Sequence, residues 1–251
     1  MDVYQFFVDP SAVGGEEIVI TGSDVNHIRN VLRMKSGEQF RISTRASEPK
    51  EVRDFFCELS RVTEDQAFAR ILYEDRQQHE LPVKICLFQG LPKGDKMEWI
   101  IQKAVELGVS EIVPVAMRNC VVRLEEKKAR AKQTRWQAIA ESAAKQSKRS
   151  IIPQIAPVMN FTEALNYANA YNTILLPYEN ERGMAHTRDV VDGLKPGESV
   201  AIFIGPEGGF DKKEIEAART KAELLSLGNR ILRTETAGLT MLSILLYHFE
   251  E

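Results

Sequence analysis

The sequence predicts an α/β protein in two parts: a small β-barrel, then a largely parallel sheet with helices on its faces. Three observations carry this. Residues 1–75 read as short strands separated by turn residues, the pattern of a small barrel. After a polar stretch ending in a proline, the rhythm changes to strand alternating with helix, which implies parallel strands joined by crossovers. The composition, 43% hydrophobic and 27% charged over 251 residues, suits one large or two modest globular domains.

The expected strands of the first part are Tyr4–Val8, Glu17–Thr21, Gln39–Thr44, Arg53–Ser60 and Gln66–Tyr73. One helix, Ser23 to Met34, interrupts them, with Ser23 or Asp24 as N-cap and Val25, Ile28, Val31 and Leu32 at helical spacing. Residues 76–82, Arg76 to Pro82, form the expected linker, and residues 83–251 the second domain. There Lys84–Gln89 reads as a buried strand. Asp95 and Glu98 have capping-box spacing before Met97, Ile100, Ile101, Ala104 and Val105, and Gly108 stops that helix. Glu111–Ala116 is the next strand, its Pro114 favouring an edge or irregular place. A long helix from about Glu125 to Lys148 puts Trp136, Ile139, Ala140, Ala143 and Ser147 on one face. Thr173–Leu176, Val200–Ile204 and Glu223–Ser226 are short apolar strands, separated by helical stretches near 161–170 and 211–222. An apolar helix, Thr236 to Phe249, closes the chain.

Several function classes drop out. No apolar run approaches the ~20 residues of a membrane span, and Met1-Asp2-Val3-Tyr4-Gln5 does not resemble a signal peptide. A cytoplasmic protein with no membrane contact is the expectation. The three cysteines and four histidines are scattered, without C-x-x-C or a His/Cys cluster, so no disulfide framework and no metal site is expected. The charge is uneven. Residues 82–150 hold 14 basic and seven acidic side chains, whereas both flanking parts are net acidic. A basic middle suits a polyanion such as nucleic acid, although Lys127–Lys132 also reads as a solvated helix face.

Ligands of parallel sheets collect beyond the carboxyl ends of the strands. Three strand ends carry unusual loops: Pro177-Tyr178-Glu179, Gly205-Pro206-Glu207-Gly208-Gly209-Phe210, and Leu227-Gly228-Asn229-Arg230-Ile231-Leu232-Arg233. Glycines there either make tight turns or let a ligand approach backbone amides. The spacing fits neither a dinucleotide fingerprint nor a P-loop. Glu179 and Glu207 would repel a triphosphate, so a cationic or phosphate-free ligand fits better.

Ile204–Gly209 and Leu227–Thr236, which overlap the second and third of these loops, with Gln89–Glu98, Glu106-Leu107-Gly108, Glu141–Arg149 and His27–Met34, resemble the RsmE-type 16S ribosomal RNA uridine-N3 methyltransferases of the SPOUT superfamily. The resemblance covers nearly the whole chain in order. It implies a PUA-like RNA-binding barrel, then a SPOUT domain whose C-terminal segment forms a trefoil knot, in a homodimer. It further implies S-adenosylmethionine bound by Leu176, Pro177, Tyr178, Glu179, Gly205, Pro206, Glu207, Gly208, Leu227, Gly228, Asn229, Ile231 and Leu232. The partner it implies is 16S ribosomal RNA or the small ribosomal subunit, met by His27, Arg29, Arg33, Lys93, Lys96, Arg118, Arg123, Lys145, Lys148 and Arg149. Arg233 is the expected catalytic donor to the uracil oxygens, with a structural ion pair to Glu235 as its other reading. The chain departs from the family at Gln5, where the resemblance implies arginine, and at Lys145 and Lys148, where relatives often carry glutamate and glycine. A non-catalytic RNA-binding assembly protein on the same fold is the alternative, and a hydrolase using Glu207 a third reading.

Overall fold

Alternating apolar residues drive the first sheet. In the computed structural model, which describes residues 3–45, 51–76 and 79–250, Phe6, Ile18, Ile20, Phe40, Ile42, Phe55 and Leu59 all point into one core. Six strands surround it: β1 (Gln5–Val8), β2 (Val13–Gly14), β3 (Glu17–Thr21), β4 (Gln39–Thr44), β5 (Asp54–Val62) and β6 (Gln66–Asp75). They pair in the order β1-β4-β5-β6-β3-β2, with β1 parallel to β4 and every other ladder antiparallel. The pairing ends at β1 and β2, so this mixed sheet is a half-barrel. Helix α1 (Ser23–Asn26) continues directly into a π-helical turn, His27–Val31. The expected single helix is therefore distorted halfway. Its N-cap is Gly22, with no side-chain cap, rather than Ser23 or Asp24.

The second sheet has seven parallel strands: β7 (Lys84–Gly90), β8 (Glu111–Ala116), β9 (Gln154–Ile155), β10 (Met159–Asn160), β11 (Thr173–Pro177), β12 (Ser199–Ile204) and β13 (Glu223–Leu225). Their order is β10-β8-β7-β12-β11-β13, with β9 also on β8. The central strands are apolar along their length, since helices cover both faces; Ile85, Leu87, Phe88, Ile202 and Phe203 are fully buried. Pro114 sits inside β8. On its outer side β9 pairs with Glu111 and Ile112 and β10 with Val115 and Ala116, so the proline falls between two short partners. That gap is the irregular place its missing N–H requires.

The helices are α2 (Lys96–Glu106), α3 (Glu126–Ser147), α4 (Phe161–Tyr167), α5 (Ala185–Asp192), α6 (Lys212–Ala218) and α7 (Thr234–Phe249). Helix α5 was not expected. Asp95 is the N-cap of α2 but makes no side-chain cap bond, and Glu98, expected to complete the box, pairs with Arg135. The box does form at α6, where Asp211 and Glu214 satisfy each other's backbone.

Contacts divide the chain into two units: Met1–Glu80 with Ala144–Ile152, and Leu81–Ala143 with Pro153–Glu251. The chain thus returns to the first unit for nine residues, which the expected division did not include. Polar bonds explain the return. The Gln5 side-chain amide donates to the Arg149 carbonyl (2.6 Å), and the Ser150 hydroxyl donates to Asp54 (2.5 Å). The Glu80 carboxylate accepts from the Ser150 and Ile151 amides and pairs with the Arg149 guanidinium. Of the expected linker, Gln77 and Gln78 lie outside the described residues, as do Met1 and Asp2 at the start.

Candidate active site

Strands β11, β12 and β13 are neighbours, so the loops leaving their carboxyl ends meet. Between them lies a cavity of ≈ 490 Å³, within the range of small-molecule and cofactor sites. Pro177, Tyr178 and Glu179 line it from β11; Gly205, Pro206, Glu207 and Gly208 from β12; and Leu227, Gly228, Ile231 and Leu232 from β13. Two residues expected with them are placed otherwise. Leu176 is fully buried within β11, and Asn229 is exposed and absent from the lining.

Glycine shapes two of the walls. A Cβ on Gly205 would stand 3.3 Å from the Gly209 backbone and the Phe210 ring, so that loop is folded as closely as its backbone allows. Gly228 holds φ at +105°, a conformation costly for other residues. The third wall is clipped in place by Thr234, whose hydroxyl donates to the Gly205 carbonyl (2.6 Å) and accepts from the buried Gln89 amide (2.8 Å).

Sequence reasoning placed Lys96 on an RNA face. The structure puts it on the cavity wall, where its ammonium bridges Glu207 (3.1 Å) and Glu235 (3.2 Å). Glu207 also accepts the Lys93 backbone N–H (3.1 Å). Burial alone would raise the Glu207 carboxyl, but bonds from its own and the Lys93 amides, with the Lys96 ammonium, outweigh that and hold it below its ordinary value. The bond to Glu207 in turn raises Lys96. Because Glu235 is occupied by Lys96, the alternative ion pair for Arg233 does not form. Arg233 is exposed on the cavity rim at the start of α7, its side chain capping nothing.

Arg182, Arg230 and Ala237 also line the cavity and were not singled out from sequence. Two of these are arginines in polar loops, where nothing in spacing separates a rim residue from a solvated one. The cysteines offer no nucleophile. Burial pushes Cys57 up to about 12 and Cys86 and Cys120 upward as well, so neutral thiols prevail at pH 7.

The expected RNA contacts fall into two groups. His27, Arg29 and Arg33 are exposed on and just after the helical segment of the first unit; Lys93, Arg118 and Arg123 are exposed in the second. Arg118 also pairs with Asp211 (3.4 Å), and the Arg123 guanidinium donates to the Met117 and Arg118 carbonyls. The other three are tied into the first unit. Lys145 pairs with Asp24 (3.0 Å) and Lys148 donates to the Val3 carbonyl. Arg149 is 4% exposed and paired with Glu80, so its charge is spent inside the protein and a phosphate has no access to it. For Arg149 this corrects the expected RNA role. Gln5 is buried likewise, and its side-chain amide donates to the Arg149 carbonyl within the same unit.

No group of His, Cys, Asp and Glu suited to a metal ion occurs among the described residues, and no helix is long and apolar enough to cross a membrane. Comparison with known proteins gives the site its context. The pattern of the RNA methyltransferase domain matches residues 79–246, and that of the RNA methyltransferase PUA domain matches residues 20–47. The chain is 38% identical to the ribosomal RNA small subunit methyltransferase E of Bacillus subtilis, over 92% of this chain and 90% of that one. It is 33% identical to the protein of the same name from Mesomycoplasma hyopneumoniae, over 96% and 98%. A crystal structure of the ribosomal RNA small subunit methyltransferase E from Neisseria gonorrhoeae, bound to S-adenosyl methionine, superposes with a TM-score of 0.80 at 31% identity over 96% of both chains. With a PUA-like half-barrel, a parallel methyltransferase sheet and this depth of similarity, the chain belongs to the RNA methyltransferase family that contains the ribosomal RNA small subunit methyltransferases E.

Proposed function

We propose that this protein transfers a methyl group from S-adenosylmethionine to N3 of one uridine in 16S ribosomal RNA, acting in the cytoplasm as a homodimer on the RNA or the small subunit. The observation that carries this is the cavity: three loops at adjacent strand ends, whose walls combine backbone and apolar side chains with carboxylates and the cations Lys96, Arg182, Arg230 and Arg233. Its residues fit the cofactor. The space is right for a nucleoside joined to an amino acid, and carboxylates and cations stand together on its walls, a mixture that suits a ligand carrying charges of both signs. A trefoil knot formed by the C-terminal segment, with residues 226–233 as one of its passages, belongs to the same reading.

When bound, S-adenosylmethionine supplies an electrophilic methyl group. The chain must do the rest. Uracil N3 lies on the Watson–Crick edge, so the base has to be unpaired or flipped to reach the cavity. The loops hold the reacting partners in line, an orientation worth several kcal/mol of barrier. Arg233 lines the cavity and is not paired with Glu235; in this reading it donates to a uracil oxygen as N3 loses its proton and the ring gains negative charge. His27, Arg29 and Arg33 in the first unit, and Lys93, Arg118 and Arg123 in the second, supply phosphate contacts, which position RNA without choosing the base.

The proposed dimer uses the outer side of α7. There Trp99, Thr236, Leu239, Thr240, Ser243, Ile244 and Tyr247 line an open groove, and Tyr247 is 85% exposed. Leu242 and Leu245 of the same helix are buried in the second unit's own core. The test of the reaction is a purified assay with S-adenosylmethionine and 16S RNA, followed by digestion to nucleosides and mass spectrometry. The expected product is 3-methyluridine. Binding of the cofactor without any methylated nucleoside, on free RNA or assembled subunits, would favour the non-catalytic assembly protein.

A further inference from the structure

The first turns of α3 carry Lys127, Lys128, Arg130, Lys132 and Arg135, and the helix holds only two acidic residues, Glu126 and Glu141. Local stability does not account for this pattern. The positive end of a helix dipole disfavours cations in its first turns, and Lys128 and Lys132 at i, i+4 repel each other. Two of the five are neutralised, Arg130 by Glu126 (2.5 Å) and Arg135 by Glu98 (2.8 Å). Lys127 and Lys128 are exposed, and Lys132 lies 5.8 Å from the ring of the buried Trp136.

This segment is tied at both ends to elements that carry the cavity, α2 and the loop after β12. At one end Arg135 is held by Glu98, in the same turn of α2 as the cavity residue Lys96. At the other, the Asn119 side-chain amide donates to the carbonyls of Gly208 (3.1 Å) and Gly209 (3.3 Å), and Arg118 pairs with Asp211. Lys128, Lys132 and Arg135 stand at i, i+4 and i+7, so they form one stripe on one face. The stripe runs about 10 Å along α3 at ~1.5 Å per residue, from Lys128 to Arg135, which holds α2 through Glu98.

We infer that this stripe, with Lys127 beside it, is a track for the phosphates of the RNA strand that enters or leaves the cavity. The inference rests on the RNA-methylation reading and adds to it a path for the chain flanking the target nucleotide. Charge complementarity selects the occupant: residues 82–150 hold 14 basic against seven acidic side chains, and a flexible polyanion neutralises a line of lysines that no acidic side chain matches among the described residues.

The experiment is a salt titration of 16S RNA binding by the full-length protein, comparing wild type with Lys127→Gln/Lys128→Gln/Lys132→Gln and with the corresponding triple arginine variant. S-adenosylmethionine affinity, measured by calorimetry, should be the same in all three and shows that the variants are folded. Each phosphate contact contributes about 0.7 to the slope of log K against log salt for single-stranded RNA. The glutamine variant should therefore lose about 2 from that slope, and the arginine variant should keep it. An unchanged slope with naked RNA overturns the track. A change seen only with assembled subunits assigns the lysines to a protein partner and overturns it equally. Methyl transfer by wild type is scored separately: a lowered slope with no methylation leaves the track standing and removes the reaction, whereas methylation with an unchanged slope does the reverse.

Discussion

Lys96 joins two walls of the cavity, because its ammonium is shared between Glu207 and Glu235. Replacing it with methionine should let the Glu207 carboxyl titrate nearer its ordinary value, an upward shift visible by NMR on the labelled side chain. The stability consequence has a defined direction. A carboxyl with a lowered folded pKa stabilises the protein above its unfolded pKa, and that contribution is lost as pH falls through the folded value. Wild type should thus exceed Lys96→Met in stability at neutral pH, with the difference shrinking in acid; a difference growing in acid contradicts the pairing. Gly205 acts through space. Its valine variant would force side-chain atoms against Gly209 and Phe210, so calorimetry should show S-adenosylmethionine binding abolished, and wild-type affinity would refute the placement. Arg149 has the opposite character. Removing one partner of a buried pair costs about 3–5 kcal/mol, so Arg149→Leu should lower the urea midpoint sharply while leaving S-adenosylmethionine affinity in the surviving folded fraction intact.

At the scale of elements, the approach of α7 to the sheet depends on Gly238. A Cβ there would meet Gln89, Ile204 and Leu87 at 3.5–3.6 Å, ordinary contact distances. Alanine should fit and gain up to about 1 kcal/mol of helix propensity. Leucine should overpack the contact and cost about 1–3 kcal/mol. Thermal unfolding of both variants tests this, and equal melting temperatures would show that α7 is held elsewhere. Most elements were legible in the sequence where burial imposes a period. Strands such as Gln39–Thr44 and Glu111–Ala116 have the expected ends, since every second or every residue is buried. What was not legible depends on partners far away in the chain. The two-residue strands β9 and β10 exist only as pairings with β8. The π turn at His27–Val31 has no local marker. The return of residues 144–152 to the first unit hangs on bonds such as Gln5 to Arg149, 144 positions apart. The same limit explains the site: glycine-rich strand ends named the cavity loops, but only the folded chain shows that Lys96 joins them and that Arg149 is closed off.

For the whole molecule, the proposed dimer rests on the open groove along the outer side of α7. Sedimentation at micromolar concentration should give a dimer, and Tyr247→Glu, which puts a charge on the exposed ring position, should shift it toward monomer; a wild-type monomer would remove the dimer from the account. The central claim is that the cavity serves methyl transfer to N3 of one uridine in small-subunit ribosomal RNA. Mass spectrometry of 16S ribosomal RNA from cells with the gene, without it, and with it restored measures that directly. The account predicts that 3-methyluridine is present in the first and third, and missing in the second and in cells restored with Gly205→Val. An unchanged level of 3-methyluridine in cells lacking the gene would contradict it.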